Sequence, residues 1–200
     1  WHLMSGEPRM VRPLFGLRRP RKPIPGLDVA GTVVAVGPDV QSLSVGDRVF
    51  GIAKGSFAQY ALALADRLTE APEQLTDPEA AVLGVSGLTA LQDLRDVGKV
   101  QPGQRVLILG ASGGVGSYAV QIAKAMGAEV TGVCSAAKAD FVRSLGAEQV
   151  LDYRATDPVD GSSQYDLIVD IGGNRPLRAL RRALTPKGTL VVVGGESGGK

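Results

Sequence analysis

Gly110-Ala111-Ser112-Gly113-Gly114-Val115-Gly116 is the stretch of this chain whose residue types and spacing best suit a chemical task. Small residues let a backbone approach a pyrophosphate. Where such a turn opens a helix, the first N–H groups and the positive end of the helix dipole meet the negative charge. The spacing is G-x-x-G-x-x-G with an additional glycine at 114, and no lysine followed by Ser or Thr, so it is not a P-loop. About twenty residues on, a site built for a bare ribose would carry Asp or Glu. This chain instead has Val133-Cys134-Ser135, then Lys138. A hydroxyl and an ammonium suit a 2′-phosphate, which points to NADP(H) as cofactor. The plainer reading of Lys138 is an exposed cation in the first turn of a helix.

The elements that must position these residues are legible from periodicity. Arg105-Val106-Leu107-Ile108-Leu109 is a continuous apolar run, as expected of a strand buried on both faces. Val115 to Met126 has helical spacing, with Val115, Ala119, Ile122, Ala123 and Met126 on one side, and Gly127 stops it. Glu129–Val133 reads as a second strand, Ala137–Leu145 as a helix closed by Gly146, and Gln149–Leu151 and Asp166–Val169 as further strands. Pro176–Leu184 reads as a helix and Thr189–Val193 as a fifth strand. Repeated βα units with short loops predict an α/β fold, a Rossmann-type doubly wound parallel sheet, over residues 104–200.

The first part has another rhythm. Short β-branched runs at 29–36, 45–50 and 57–62, separated by Gly, Pro and Asp, predict a compact barrel or sandwich over residues 1–75. Between the two, residues 76–103 read as bridging helices. Asp77-Pro78-Glu79 looks like an N-cap, a first-turn proline and a first-turn acid, and the helical pattern pauses at Gly84–Gly87 before resuming from Leu88 to Val97.

Composition bounds the rest. Apolar residues are 44% and charged residues 21%, which is globular rather than disordered. The single cysteine, Cys134, excludes an internal disulfide and a cysteine-cluster metal site. His2 is the only histidine, so a conventional zinc enzyme has little to ligate with, and no metal site is expected. Residues 1–25 carry six basic residues against Glu7 alone, but prolines break the densest part and forbid a basic helix. A solvated loop is the favoured reading there over a nucleic-acid or anionic-membrane patch. No run of eighteen apolar residues exists to span a bilayer, and a cytoplasmic protein without nucleic-acid partners is the expectation.

With these residues in place the chain resembles the zinc-independent branch of the medium-chain dehydrogenase/reductases, the quinone oxidoreductases and their enone-reducing relatives. Within that branch it resembles the chloroplast-envelope quinone-oxidoreductase-like group and bacterial alcohol dehydrogenase-like proteins. Pro25-Gly26-Leu27-Asp28-Val29-Ala30-Gly31 and Val45-Gly46-Asp47-Arg48-Val49 are similar to the family's GroES-like catalytic domain. Gly84-Val85-Ser86-Gly87-Leu88-Thr89-Ala90 is similar to its bridging helix, and Ala111–Gly116 with Ala123-Lys124 to its cofactor turn. The resemblance implies a partial GroES-like β-barrel ahead of the Rossmann-type domain. It also implies that Thr89 sits beside the nicotinamide and that Lys138 and Tyr153 hold the 2′-phosphate. Ile171 and Gly172 would line the cofactor after the fourth strand, and Val193, Gly194 and Gly195 would pass under the carboxamide. His2 stands where relatives often have a pocket-lining residue, although so near a chain end it could equally be a frayed surface group. Where zinc-dependent members carry Gly-His-Glu, this chain has Gly26-Leu27-Asp28, and leucine cannot ligate metal.

The activity implied is hydride transfer from NADPH to a quinone or α,β-unsaturated carbonyl without metal, in a dry cleft, by a protein that is a homodimer at full length. Two alternatives stay open: a catalytically inactive NADP-binding module, and the enoyl-reductase portion of a larger synthase. Family members begin before Trp1 and continue past Lys200, so the resemblance implies a fragment or truncated product lacking a sixth sheet strand, with an exposed sheet edge.

Overall fold

The computed structural model describes residues 24–194 of the 200. The chain divides into two compact units, Trp1–Val85 and Ser86–Lys200, so the division falls inside the segment read as bridging helices.

In the first unit β1 (Asp28–Thr32), β2 (Arg48–Ile52) and β3 (Leu68–Glu70) form an antiparallel sheet in that order. The predicted strand at 29–36 is shorter than its apolar run. Val33 still exchanges hydrogen bonds with Asp47 and Gly46 at 2.9 Å, but no ladder among the described residues continues through Val34 and Val36, which are exposed. The predicted strand at 57–62 is likewise reduced to one bridge, Lys54 to Leu62. Apolar alternation makes a strand only where a neighbouring strand accepts its hydrogen bonds.

Helix α1 (Asp77–Ala81) is capped by Thr76 rather than by Asp77. Its N–H and Oγ1 both donate to Glu79 Oε2, at 2.8 and 2.7 Å. The pause expected at Gly84–Gly87 is absent. Instead the chain runs on as a wide π-helical turn, Leu83–Gly87. Gly84 is there for proximity: a Cβ on it would sit 2.7 Å from the Gly51 carbonyl and 2.9 Å from Asp28 Oδ1, and the neighbouring Val85 N–H donates to that same carboxylate at 2.7 Å. The glycine admits a close neighbour and does not break the helix.

The second unit opens with α2 (Leu88–Leu91), which widens into another π-helical turn, Gln92–Val97. Its sheet comprises β4 (Arg105–Leu109), β5 (Glu129–Cys134), β6 (Gln149–Asp152), β7 (Tyr165–Asp170) and β8 (Leu184–Val192). All pairs are parallel and the order is β6-β5-β4-β7-β8, the doubly wound arrangement expected. Helix α3 (Gly114–Ala125) follows β4, α4 (Ala139–Ser144) follows β5 behind a 3-10 turn at Ala136–Lys138, and α5 (Leu177–Arg182) precedes β8. The helix expected over 137–145 is therefore split, its first turn tightened.

Strand β4 alternates between two cores. Val106 and Ile108 belong to the cluster with Ala119, Val120 and Ala123 of α3, while Leu107 and Leu109 face Val159, Leu180 and Ala183. Both clusters are buried and apolar, which is why this strand reads as an unbroken apolar run. Strand β8 starts five residues earlier than its apolar run, at Leu184. Its pairing with β7 shifts register between Tyr165 and Leu167, and the bulge lets polar Thr185 and Lys187 lie within it.

Candidate functional site

Beyond the C-terminal ends of β4, β5 and β7 lies a cavity of about 830 Å³ in the second unit. It sits where the sheet order reverses, the place where open α/β sheets hold ligands, and its size is within the roughly 300–1,000 Å³ of small-molecule sites.

The elbow after β4 supplies one wall. Ser112, Gly113, Gly114 and Val115 line it, and Gly113 N–H donates to the Gly110 carbonyl at 3.0 Å to make the turn tight. Gly113 occupies the N-cap of α3 and offers no capping side chain, so the first-turn amides of this twelve-residue helix are not satisfied by one. Two glycines differ in what requires them. A Cβ on Gly116 would lie 2.1 Å from the Gly110 carbonyl, so the protein's own packing demands glycine there. A Cβ on Gly113 would meet only that carbonyl, at 3.4 Å, and would otherwise project into open space. Nothing internal excludes a side chain at 113, and its absence leaves the N-terminal end of α3 open to the cavity.

Ser135 and Lys138 follow β5 and line the same cavity, as do Tyr153 after β6 and Ile171 and Gly172 after β7. The structure thus gathers into one wall nine of the residues singled out in the sequence. Ala111 and Gly116 lie just behind it, both buried. Thr89 is half-buried on α2, off the cavity wall. Val193 donates from its N–H to the Asp170 carbonyl at 3.0 Å, and neither it nor Gly194 lines the cavity. His2 and Gly195 lie outside the described residues.

Ser86 and Cys134 also line the cavity, quoted in the sequence reading but given no role in the site, and Pro158, Asp170, Asn174 and Arg175 escaped that reading. Asp170 is buried at the end of β7 and accepts the Gly173 N–H at 2.9 Å. Burial pushes its carboxyl above the usual range, against that hydrogen bond and the charge of Arg175. Burial likewise pushes the Cys134 thiol up, with Asp152 adding to the effect and Arg143 and Lys138 opposing it. Arg175 donates from Nη1 to Asp157 Oδ1 at 2.7 Å. Asp170 could have been found as the polar end of a buried apolar strand. Arg175 had no signal, because in sequence it resembles any loop arginine.

Among the described residues no three His, Cys, Asp or Glu side chains gather as a metal-ligand set, and no helix is long and apolar enough to cross a membrane.

Residues 1–73 match the alcohol dehydrogenase GroES-like domain and residues 114–200 match the zinc-binding dehydrogenase family. The chloroplast envelope quinone oxidoreductase homolog of Arabidopsis thaliana is 35% identical over 206 residues, covering 96% of this chain and 61% of that protein. A phenolphthiocerol/phthiocerol polyketide synthase of Mycobacterium tuberculosis is 42% identical over 179 residues, 86% of this chain but 8% of the synthase polypeptide. Among solved structures, that of mycobacterial Rv1454c complexed with NADPH superimposes with a TM-score of 0.78 at 34% identity, covering 87% of this chain and 57% of that one. The chain spans about six-tenths of the length of the chloroplast relatives it matches.

Proposed function

The chain belongs to the quinone-oxidoreductase-like medium-chain dehydrogenase/reductases, and from that premise we propose that it forms the core of an NADPH-dependent reductase of quinones or α,β-unsaturated carbonyls. One observation carries the reading: a single cavity joins the uncapped start of α3 to Ser135 and Lys138, with no acid at the end of β5.

When bound there, NADPH supplies the hydride that reduces an electrophilic carbon of the acceptor. The chain's own part is to bind and to orient. The first-turn amides of α3 and the helix dipole hold the pyrophosphate, and Gly113 gives it room. Ser135 donates its hydroxyl, Lys138 its charge and Tyr153 its phenol to the 2′-phosphate, where an Asp or Glu would repel it. Thr89, Val193, Gly194 and Gly195 belong to the same proposal as neighbours of the nicotinamide end, Ile171 and Gly172 as a loop near both the adenosine and the nicotinamide, and His2 as a substrate-facing donor. The reaction is read as zinc-free because Leu27 has no donor atom. Charge developing on the acceptor oxygen is then met by hydrogen-bond donors or water.

Purified protein is assayed for NADPH oxidation against quinones, enones and simple aldehydes. Turnover with the first two is the expected result. Turnover confined to simple alcohols with added zinc overturns the reading, and NADPH binding without any turnover marks an inactive module. A second reading, the enoyl-reductase portion of a larger synthase, is favoured by the 42% identity to part of a polyketide synthase. Carrier or synthase domains encoded beside this segment would decide for it.

A further inference from the structure

The cavity wall carries a second cation that no sequence motif announced. Arg175 lies on the loop between β7 and α5 and lines the same cavity as Ser135 and Lys138. Its side chain is 29% exposed, so it is held at the wall rather than waving in solvent. The holder is Asp157, reached from Nη1 at 2.7 Å. Among the described residues this is the guanidinium's one hydrogen bond, which leaves the Nε and Nη2 donors of a five-donor fork unused. Asp157 also accepts the Val159 N–H at 3.3 Å, so its carboxylate is fixed by its own turn and keeps Arg175 in place.

The location of that turn says which part of a dinucleotide Arg175 would serve. Asp157 and cavity-lining Pro158 follow Tyr153 on the connection from β6 to β7. The ion pair therefore ties Arg175 to the segment that bears Tyr153, whereas the pyrophosphate belongs to the elbow after β4. The charge of Arg175 also reaches into the cavity floor, where it draws the buried Asp170 carboxyl down against the effect of burial.

We propose that Arg175 is a specificity-determining residue, a second cation beside Lys138 that hydrogen-bonds the 2′-phosphate of the adenosine through its unused edge while Asp157 anchors the other. The inference rests on the NADP(H) reading and sharpens it. A guanidinium fork matches a phosphate with two parallel hydrogen bonds, a geometry an ammonium does not offer.

The test is calorimetric titration of the full chain with adenosine 2′,5′-bisphosphate and with 5′-AMP, which differ only in the 2′-phosphate and need no turnover. Arg175→Gln is expected to weaken the bisphosphate by about tenfold or more and 5′-AMP by about twofold at most, with Arg175→Lys in between. The folded state is expected to survive because a partly exposed ion pair contributes little to stability, and thermal melts of both variants check this. Equal losses for the two ligands, or none, overturn the assignment of Arg175. If Lys138→Glu abolishes the preference for the bisphosphate while Arg175→Gln does not, the NADP(H) reading stands and this inference falls. If the unaltered protein shows no preference for the bisphosphate, both fall.

Discussion

In the second unit β4 is sealed on both faces, Val106 and Ile108 under α3 and Leu107 and Leu109 under Leu180 and Ala183, whereas apolar residues of equal promise in the first unit, Val34, Val45, Phe57, Tyr60 and Leu62, stand in solvent. Both regions announce themselves by the same β-branched and aliphatic runs. They differ in how close the covering layer lies along the chain. Each βα unit of the parallel sheet brings its own helix, so burial follows within about thirty residues. The described strands of the first unit form a single antiparallel sheet, to which α1 contributes only Ala80 as a fully buried residue. An apolar run is thus evidence of a strand only in proportion to what is available to cover it.

The contrast can be tested by truncation. Ile108→Ala removes a side chain with no exposed surface and is expected to cost about 2–5 kcal/mol, read from urea unfolding. Leu62→Ala, in a residue 90% exposed, is expected to stay within about 0.5 kcal/mol. Comparable costs at the two sites would erase the distinction between the units. A binding experiment bears on the second unit alone. Replacing Lys138 with Glu is expected to weaken NADPH by about 1.5–3 kcal/mol, some ten- to hundredfold, while NADH changes little. Equal losses would remove the 2′-phosphate argument.

Smaller effects separate the units by acid response. Thr76→Ala in the first unit deletes the hydroxyl bonded to Glu79 and is expected to cost about 1 kcal/mol. The backbone and side chain of Thr76 hold the Glu79 carboxyl below its usual range, so their contribution is present above the unfolded value and lost as pH falls through the lowered one. Thermal melts of the variant should show less of that acid loss than the unaltered chain. Asp170 in the second unit has the opposite sign. Its carboxyl is raised by burial, so its contribution is full below the unfolded value and lost as pH rises through the raised one. Asp170→Asn keeps an oxygen for the Gly173 N–H but no longer titrates. Its melting temperature should therefore gain on the unaltered chain between acid and neutral pH, and a constant offset would contradict the burial argument.

Much of the cavity wall was legible because its parts are local. The Gly110–Gly116 elbow and Ser135 with Lys138 each follow a strand whose apolar run is plain, and parallel strands deliver their C-terminal ends to one edge. Tyr153, Thr89, Ile171, Gly172 and the residues after β8 came from resemblance instead. The structure put Tyr153 on the wall and Thr89 off it. Gly84 misled for a definite reason, since a glycine kept for a close approach to Gly51 and Asp28 looks in sequence like a helix breaker.

By itself the sequence determined the parallel sheet, its order of elements and the glycine elbow, because periodicity and turn chemistry act over neighbouring residues. Only tertiary structure decided that Asp170 and Arg175 share a cavity with Lys138, that Asp157 anchors the arginine, and that the run beyond Thr32 is no strand. Those outcomes depend on groups far apart along the chain, and whether a polar or apolar side chain finds a distant partner leaves no mark on its immediate neighbours.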